Sequence, residues 1–281
     1  VGGQTRTATN NGNGTWTLPD GSLSTLSDGT YNVAVTATDA IGNMGTDGTN
    51  NELTIDTTAP VVTVVSKVTN DTRPPLNGNV SDLTTAVTVS VGGQTRSATN
   101  NGNGTWTLAD NAVNPALSAG TYNVVVTSTD AAGNTGTDSS SNELTIDLTA
   151  PTVTVNSRIT NDTTPSLTGT VNDMGASISV AVGGQTKSAT NNGNGTWTLA
   201  DNAISPALAA GTYNVVVTAT DTAGNAGTDS SANELTIDTT APVITVNALA
   251  SPTNDNTPPL SGTVNDNGAT ISITGGQCGH R

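Results

Sequence analysis

Between Val62 and Ile146 apolar side chains recur at every second position within short runs: Val62 and Val64; Leu76, Gly78 and Val80; Val87, Val89 and Val91; Trp106 and Leu108; Tyr122, Val124 and Val126; Leu144 and Ile146. Threonine, serine and asparagine fill the alternate places. Successive side chains on a strand point to opposite faces, so this spacing predicts antiparallel strands with one packed face and one wet face. Turn words such as NNGNG at 100–104 separate the runs, and that word between TRSAT and TWTLAD predicts a hairpin. No stretch offers a helical period with caps. About seven strands in one such stretch, with a single tryptophan to bury, predict an all-β fold in which two sheets pack face to face as a sandwich. The segment LSAGTYNVVV at 117–126 adds Leu-x-x-Gly-x-Tyr before a strand. That spacing predicts a tyrosine corner, whose hydroxyl ties the preceding loop to the sheet; a plain core aromatic is the other reading.

The pattern repeats. VGGQT stands at 1, 91 and 182, and TGGQ begins at 274. Steps of this size are domains rather than solenoid units. The words DTTAP, DLTAP and DTTAP put aspartate at 56, 147 and 238. Cutting after them gives a partial module 1–56, complete modules 57–147 and 148–238, and a partial module 239–281. The partial modules are expected to expose unpaired strand edges.

Composition narrows the function. The 281 residues carry 22 acids against 7 bases, a net charge of −15, no Phe, three Trp and three Tyr. So few large apolar residues at so high a charge border on disorder, but their concentration in alternating runs argues for folding. The acidic balance excludes a nucleic-acid footprint and disfavours anionic membrane surfaces. No apolar run reaches the ~18 residues of a membrane helix, and the first residues lack a signal-peptide pattern. Cys278 has no second cysteine to pair with. His280 is the only histidine, which argues against a nucleophile triad. Glu52, Glu143 and Glu234 each stand in the word NEL, where a solvated strand end is expected rather than a glycosidase pair. No enzyme activity is expected.

Taken together, DTTAP at a module start, NDTTPSLTGTVND after it, NGNGTWTL in the middle and GTYNVVVTATDTAGN near the end make the chain similar to bacterial immunoglobulin-like domains. These are arrayed in large secreted adhesins and biofilm-associated surface proteins. The resemblance covers the whole chain. It implies a secreted or cell-surface stalk, often stiffened by calcium, with no catalysis, whose partners are neighbouring modules and whose ligand contacts lie in domains elsewhere.

Eighteen of the nineteen aspartates fall in six columns that recur with the module. Loops of a sandwich alternate between its poles. The module start, the Asp82 or Asp173 loop and the Asp130 or Asp221 loop then share one pole; the Asp71 or Asp162 loop, the Asp110 or Asp201 loop and the terminal Asp147 or Asp238 share the other. Head-to-tail joining brings Asp56 to Asp82 and Asp130, Asp147 to Asp173 and Asp221, and Asp238 to Asp266. Three converging carboxylates repel unless a cation sits among them. Calcium suits an all-oxygen set to which Asn134 and Asn225 can add, whereas zinc would want His or Cys. Ordinary turn chemistry, in which Asp and Asn cap backbone amides, is the competing reading. The expected role is a structural extender. The alternative is a glycan-binding or directly adhesive module, which would want an exposed aromatic platform where Trp and Tyr are expected to point inward.

Overall fold

The computed structural model describes residues 1–249 and 253–275. Cys278 and His280 lie outside the described residues. The chain divides into two compact units, Val1–Thr149 with Thr222–Asn225, and Ala150–Asp221 with Ala226–Arg281. Strands are the only regular elements among the described residues.

In the first unit a sandwich spans the strands from Lys67 to Ile146. One sheet runs, in spatial order, Thr135–Thr137, Val124–Thr129, Ala86–Val91, Gln94–Asn100, Thr105–Leu108 and Leu76–Asn79. It curls because one strand serves both halves. Gln94 to Ala98 pair with Ala86–Val91, whereas Thr99 and Asn100 pair with Thr107 and Trp106 across the expected NNGNG hairpin. A second sheet holds Gly120–Tyr122, Leu144–Ile146 and Lys67–Thr69, the last two parallel. Alternation predicted the long strands directly: Ala86–Val91 buries Val87, Val89 and Val91 and turns its other residues outward or partly outward.

The core follows the same arithmetic. Trp106 and Val89 are fully buried, with Leu144, Ile146, Val124 and Val126 around them. The Trp106 indole donates Nε1–H to Thr63 O at 2.9 Å, which satisfies its polar edge. Gly78 makes room for that approach, since a Cβ there would stand 1.9 Å from Thr63 O. Val113 and Leu117 complete the core from the 109–119 loop; lying outside any alternating run, they carried no strand signal. Tyr122 is half-buried and donates its hydroxyl to Ser118 O at 2.9 Å, so the corner geometry is present.

Two departures from the sequence reading are physical rather than accidental. The first run, Val62 and Val64, lies beside the Leu76–Asn79 strand, with Thr63 N–H to Asn79 O at 3.0 Å, Val65 N–H to Asn77 O at 2.9 Å and Val62 opposite Val80. The chain then leaves that sheet and pairs Lys67–Thr69 with the last strand of the other. The NEL glutamates are also not solvated strand ends in the complete sandwiches. Glu143 and Glu234 are buried, 3% exposed, because the last strand breaks its ladder between Thr137 and Leu144 and the carboxylate takes the place of a missing carbonyl. Glu143 Oε2 accepts Val124 N–H at 2.9 Å.

The second unit repeats this plan over the strands Arg158 to Ile237, with Trp197 buried against Val180, Val217, Leu235 and Ile237. The chain's two ends differ. Residues 1–56 form three two-stranded pieces, and Trp16, contrary to the inward expectation, is 50% exposed. Among the described residues beyond 239, Ile244–Val246 pairs antiparallel with Gly262–Val264.

Candidate functional site at the sandwich pole

The loop that closes Val124–Thr129 is built by its own aspartate. Asp130 Oδ1 accepts the backbone N–H of Ala132 at 2.9 Å and of Asn134 at 2.8 Å, and its other oxygen accepts Asn134 Nδ2–H at 2.9 Å. Gly133 takes φ of +92°, a left-handed conformation that glycine adopts without Cβ strain. The Asn134 side chain, with the backbone amides behind it, outweighs partial desolvation and holds the Asp130 carboxyl below the ordinary range.

So oriented, Asn134 reaches out of its own sandwich. Nδ2 also donates to Asp56 O at 2.9 Å, 78 residues upstream. In this loop, Asp-x-x-Gly-Asn, the aspartate aims the asparagine, and the asparagine holds the segment that enters the sandwich. Within the same unit Asn225 Nδ2 donates to Asp147 O at 2.8 Å, again 78 residues upstream.

The entering segment 56–60 is held at other points as well. Asp56 Oδ1 accepts Thr58 N–H at 3.0 Å. Pro60 is buried beneath the Thr135–Thr137 strand, where a Cβ on Gly136 would stand 1.6 Å from Pro60 O. From the preceding residues Asp28 accepts Thr57 N–H at 3.0 Å, the Thr57 hydroxyl at 2.7 Å and the Thr58 hydroxyl at 2.8 Å. These bonds, the Thr57 hydroxyl's foremost, lower the Asp28 pKa. Asp28 is the one aspartate outside the repeating columns, and alanine stands at the corresponding positions 119 and 210. Its role carried no repeat signal in the sequence.

The pole assignment itself can be read from contacts. Val61 and Ser81 exchange hydrogen bonds at 2.8 and 2.9 Å, which brings the Asp82 loop to the entering segment. Ser128, fully buried, donates to Thr85 Oγ1 at 2.6 Å and ties that loop to the Asp130 strand. At the other end Asp147 N–H donates to Thr69 O, Leu117 N–H to Thr72 O and Asn111 N–H to Arg73 O.

Sharing a pole is not the same as sharing an ion. Among the described residues no three acidic, imidazole or thiol side chains form a group able to hold a metal. The expected ligands turn instead to their own loops: Asp82 Oδ1 to Thr84, Asp173 Oδ1 to Gly175 N–H at 2.7 Å, Asp147 Oδ1 to Thr149 N–H, Asp238 Oδ1 to Thr240 N–H, and Asp266 Oδ1 to Gly268 N–H at 2.8 Å. An aspartate accepting from the amide two residues on is turn chemistry. Asp221 belongs to the second unit and closes the Val216–Thr220 strand. Asp56, Asp82, Asp130, Asp147, Asp173, Asp238 and Asp266, which converge in a topological diagram, are thus engaged in their own loops.

The comparisons bear on the repeated fold. A family model for the bacterial Ig-like domain matches residues 1–57, 63–148 and 151–239. The chain belongs to the bacterial Ig-like domain family. Among solved structures, this bacterial Ig-like chain is similar to a Ca2+-stabilized adhesin that helps an Antarctic bacterium reach out and bind ice, at 27% identity and a TM-score of 0.37, covering 78% of this chain and 59% of that one. It is also similar to a tetra-tandem repeat in the extending region of a large adhesion protein, at 26% identity and a TM-score of 0.30, covering 75% of this chain and 57% of that one. The chain therefore spans somewhat over half the length of those two. A third likeness, to fibronectin(III)-like modules of Clostridium thermocellum CbhA, has 14% identity and a TM-score of 0.38, covering 63% of this chain and 94% of that one. Comparison with curated proteins finds no match.

Proposed function

We propose that this bacterial Ig-like chain is an extender segment of a cell-surface or secreted adhesin, with module boundaries after Asp56, Asp147 and Asp238, and that it works outside the cell by spacing other domains. The observation that carries this reading is the bond from Asn134 to the Asp56 carbonyl. A spacer transmits position only if its linkers are stiff, and here the linker is gripped by the module that follows it. With its longest strands at six and seven residues, ~3.3 Å each, plus a linker, a module adds on the order of 30 Å to such an array. The grip uses neutral amide donors and a buried proline, so it does not depend on an ion.

Calcium is the finer part of the proposal. Its candidate oxygen donors are those the sequence pattern points to, Asp56, Asp82, Asp130 and Asn134, with Asp147, Asp173, Asp221 and Asn225 as the repeat equivalents and Asp238 with Asp266 as the third set. Hard cations such as calcium take oxygen donors of this kind in loose geometry. The carboxylates would have to exchange amide partners for an ion. Calorimetric titration of the full chain tests this: heat of binding together with a chelator-sensitive melting temperature supports it, and neither signal at millimolar calcium removes it while leaving the neutral grip standing.

The adhesive alternative finds no support in the complete sandwiches, where Trp106 and Trp197 are fully buried and unavailable for stacking on a sugar. The extender reading is tested by Asn134→Ala in the full chain. Scattering should report a more flexible particle with unchanged sandwich melting; an unchanged particle, or specific capture of a glycan by the wild-type chain, would remove the reading.

A further inference from the structure

The hairpin word NNGNG places two Asn-Gly pairs in each complete sandwich, Asn101–Gly102 and Asn103–Gly104 in the first, Asn192–Gly193 and Asn194–Gly195 in the second. An asparagine followed by glycine is a reactive pair. The glycine nitrogen can attack the carboxamide of the side chain before it, and with no Cβ on glycine nothing crowds the five-membered ring that forms. Residues 101–103 and 192–194 are exposed to water. By sequence the two pairs of a loop are equivalent; in the fold they are not.

In the first pair both reaction partners are held. Gly102 N–H donates to Asn100 Oδ1 at 3.1 Å, which keeps its proton from the solvent base that must remove it. The Asn101 carboxamide is fixed at both atoms, Nδ2 donating to Thr105 Oγ1 at 2.8 Å and Oδ1 accepting the Thr107 hydroxyl at 3.2 Å. Asn100 is itself anchored, its Nδ2 donating to Asp82 O at 2.9 Å and to Thr85 O at 3.1 Å. The second sandwich repeats the arrangement, with Gly193 N–H on Asn191 Oδ1 at 3.1 Å and Asn192 Nδ2 on Thr196 Oγ1 at 2.9 Å.

The second pair is arranged the opposite way. Asn103 Oδ1 accepts Thr105 N–H at 3.2 Å and the Thr105 hydroxyl at 2.7 Å. A side-chain oxygen bonded to the amide two residues on makes an Asx turn, which folds the carboxamide back over the peptide between them, here that of Gly104. Two donors on one oxygen also polarise the carbonyl and stabilise the negative charge it takes on under attack, as an oxyanion hole does. Among the described residues neither Asn103 Nδ2, the leaving group, nor Gly104 N–H, the attacking one, is hydrogen-bonded. Asn194 has the same two donors, Thr196 N–H at 3.2 Å and the Thr196 hydroxyl at 2.7 Å. One threonine hydroxyl thus restrains the first asparagine and activates the second.

We propose that Asn103 and Asn194 are self-modifying sites, which pass through a succinimide to aspartate and isoaspartate while Asn101 and Asn192 of the same loops stay intact. The Gly104 nitrogen gives its proton to solvent hydroxide, and its electron pair forms a bond to Asn103 Cγ. The Thr105 N–H and hydroxyl hold the oxyanion at Oδ1. The Cγ–Nδ2 bond then breaks, and ammonia leaves with a proton taken from water. Water adds to either ring carbonyl, and cleavage of the adjoining ring C–N bond leaves aspartate or isoaspartate. In sum an amide and a water become a carboxylate and an ammonium ion, with nothing oxidised or reduced. Each event adds a negative charge at a hairpin tip, so an already acidic chain grows more acidic with age. The inference is independent of the extender reading.

The test is to age the full chain, folded and at mildly alkaline pH, and to follow each asparagine by peptide mapping with fragmentation mass spectrometry. Asn103 and Asn194 should convert at least about tenfold faster than Asn101 and Asn192, the equivalent of roughly two hydrogen bonds, with isoaspartate formed beside aspartate. In denaturant that difference should vanish. Thr105→Val removes the hydroxyl donor and should slow Asn103 about fivefold, the equivalent of one hydrogen bond, with Asn194 as control in the same molecule. Asn100→Ala releases the Gly102 nitrogen and should speed Asn101, in a sample whose melting shows the sandwich still folded. Equal conversion of the two pairs in the folded wild type, aspartate without isoaspartate, or an unchanged Asn103 rate in Thr105→Val would overturn the proposal.

Discussion

The words around Trp16 and around Trp106 are the same, NNGNGTWTL in both places, yet one indole is half exposed and the other wholly buried. The contrast extends along both copies. Glu52 is exposed where Glu143 is buried, and Val33 and Val35 are half-buried where Val124 and Val126 are buried. Tyr31 keeps its hydroxyl bond to Ser27 O at 2.8 Å, just as Tyr122 bonds Ser118. Local bonds therefore survive in both copies, while burial depends on strands that are distant in sequence: in the complete sandwich Val62, Leu76, Val80 and Val89 supply the second wall. What a repeat word encodes by itself is thus separable from what it acquires by assembly.

The sharpest way to break that comparison is to truncate the two tryptophans. Trp106→Ala should cost about 3–5 kcal/mol and lower or abolish one calorimetric transition of the full chain, whereas Trp16→Ala should stay within about 0.5 kcal/mol. Equal effects would mean that residues 1–56 bury Trp16 in a core of their own.

Next in size are the paired glycines 45 and 136. Gly136→Ala drives a Cβ onto Pro60 O and should destabilise by about 1–3 kcal/mol, with loosening of the entering segment; Gly45→Ala meets nothing within 4 Å and should melt as the wild type. The glutamates sharpen the comparison further. Glu143→Ala strands the Val124 N–H inside the sandwich and should cost about 1–3 kcal/mol in a chemical-denaturation experiment, while Glu52→Ala, made at an exposed site, should cost much less.

The smallest effect is in the pH profile. Burial alone would raise the Glu143 pKa, but the Val124 amide and its neighbours overcome this and lower it; in Glu52 the Val33 amide leads and lowers it as well. A carboxyl depressed in the folded state stabilises above its unfolded pKa, and that stability is lost as pH falls through the folded value. Unfolding titrations should thus show the chain weakening as pH falls from the ordinary carboxylate range toward the lower folded values, with Asp28 and Asp130, also depressed, contributing in the same direction. Glu143→Gln should flatten the slope; a profile that gains stability on acidification would contradict the assignment.

Much of the fold was legible because strand alternation is a local signal. Val87, Val89 and Val91, Leu144 and Ile146, and the Tyr122 corner are all written in period two or in a fixed word. What was not legible depends on events between distant segments. The shift of Lys67–Thr69 onto the far sheet has no alternation of its own, and the burial of Glu143 follows from a break in the last strand that opens an unpaired amide on Val124. The pole of each aspartate could be counted from the topology, but the direction of its carboxylate could not. That direction is set by the nearest free amides, two residues on, which is why Asp82, Asp147 and Asp173 turn into their own loops. Asn134 was legible as an oxygen donor for an ion or as a turn residue. Its amide proton is what the structure uses.

The central claim is that the segment entering the sandwich is rigid because Asn134, Pro60 beneath Gly136, and Asp28 hold it. Backbone 15N relaxation of Thr57 and Thr58 in the full chain, with chelator present, tests this most directly. The account predicts order parameters of about 0.85, as in the strands on either side, falling on Asn134→Ala; values below about 0.6 in the wild type would describe a free hinge and contradict it.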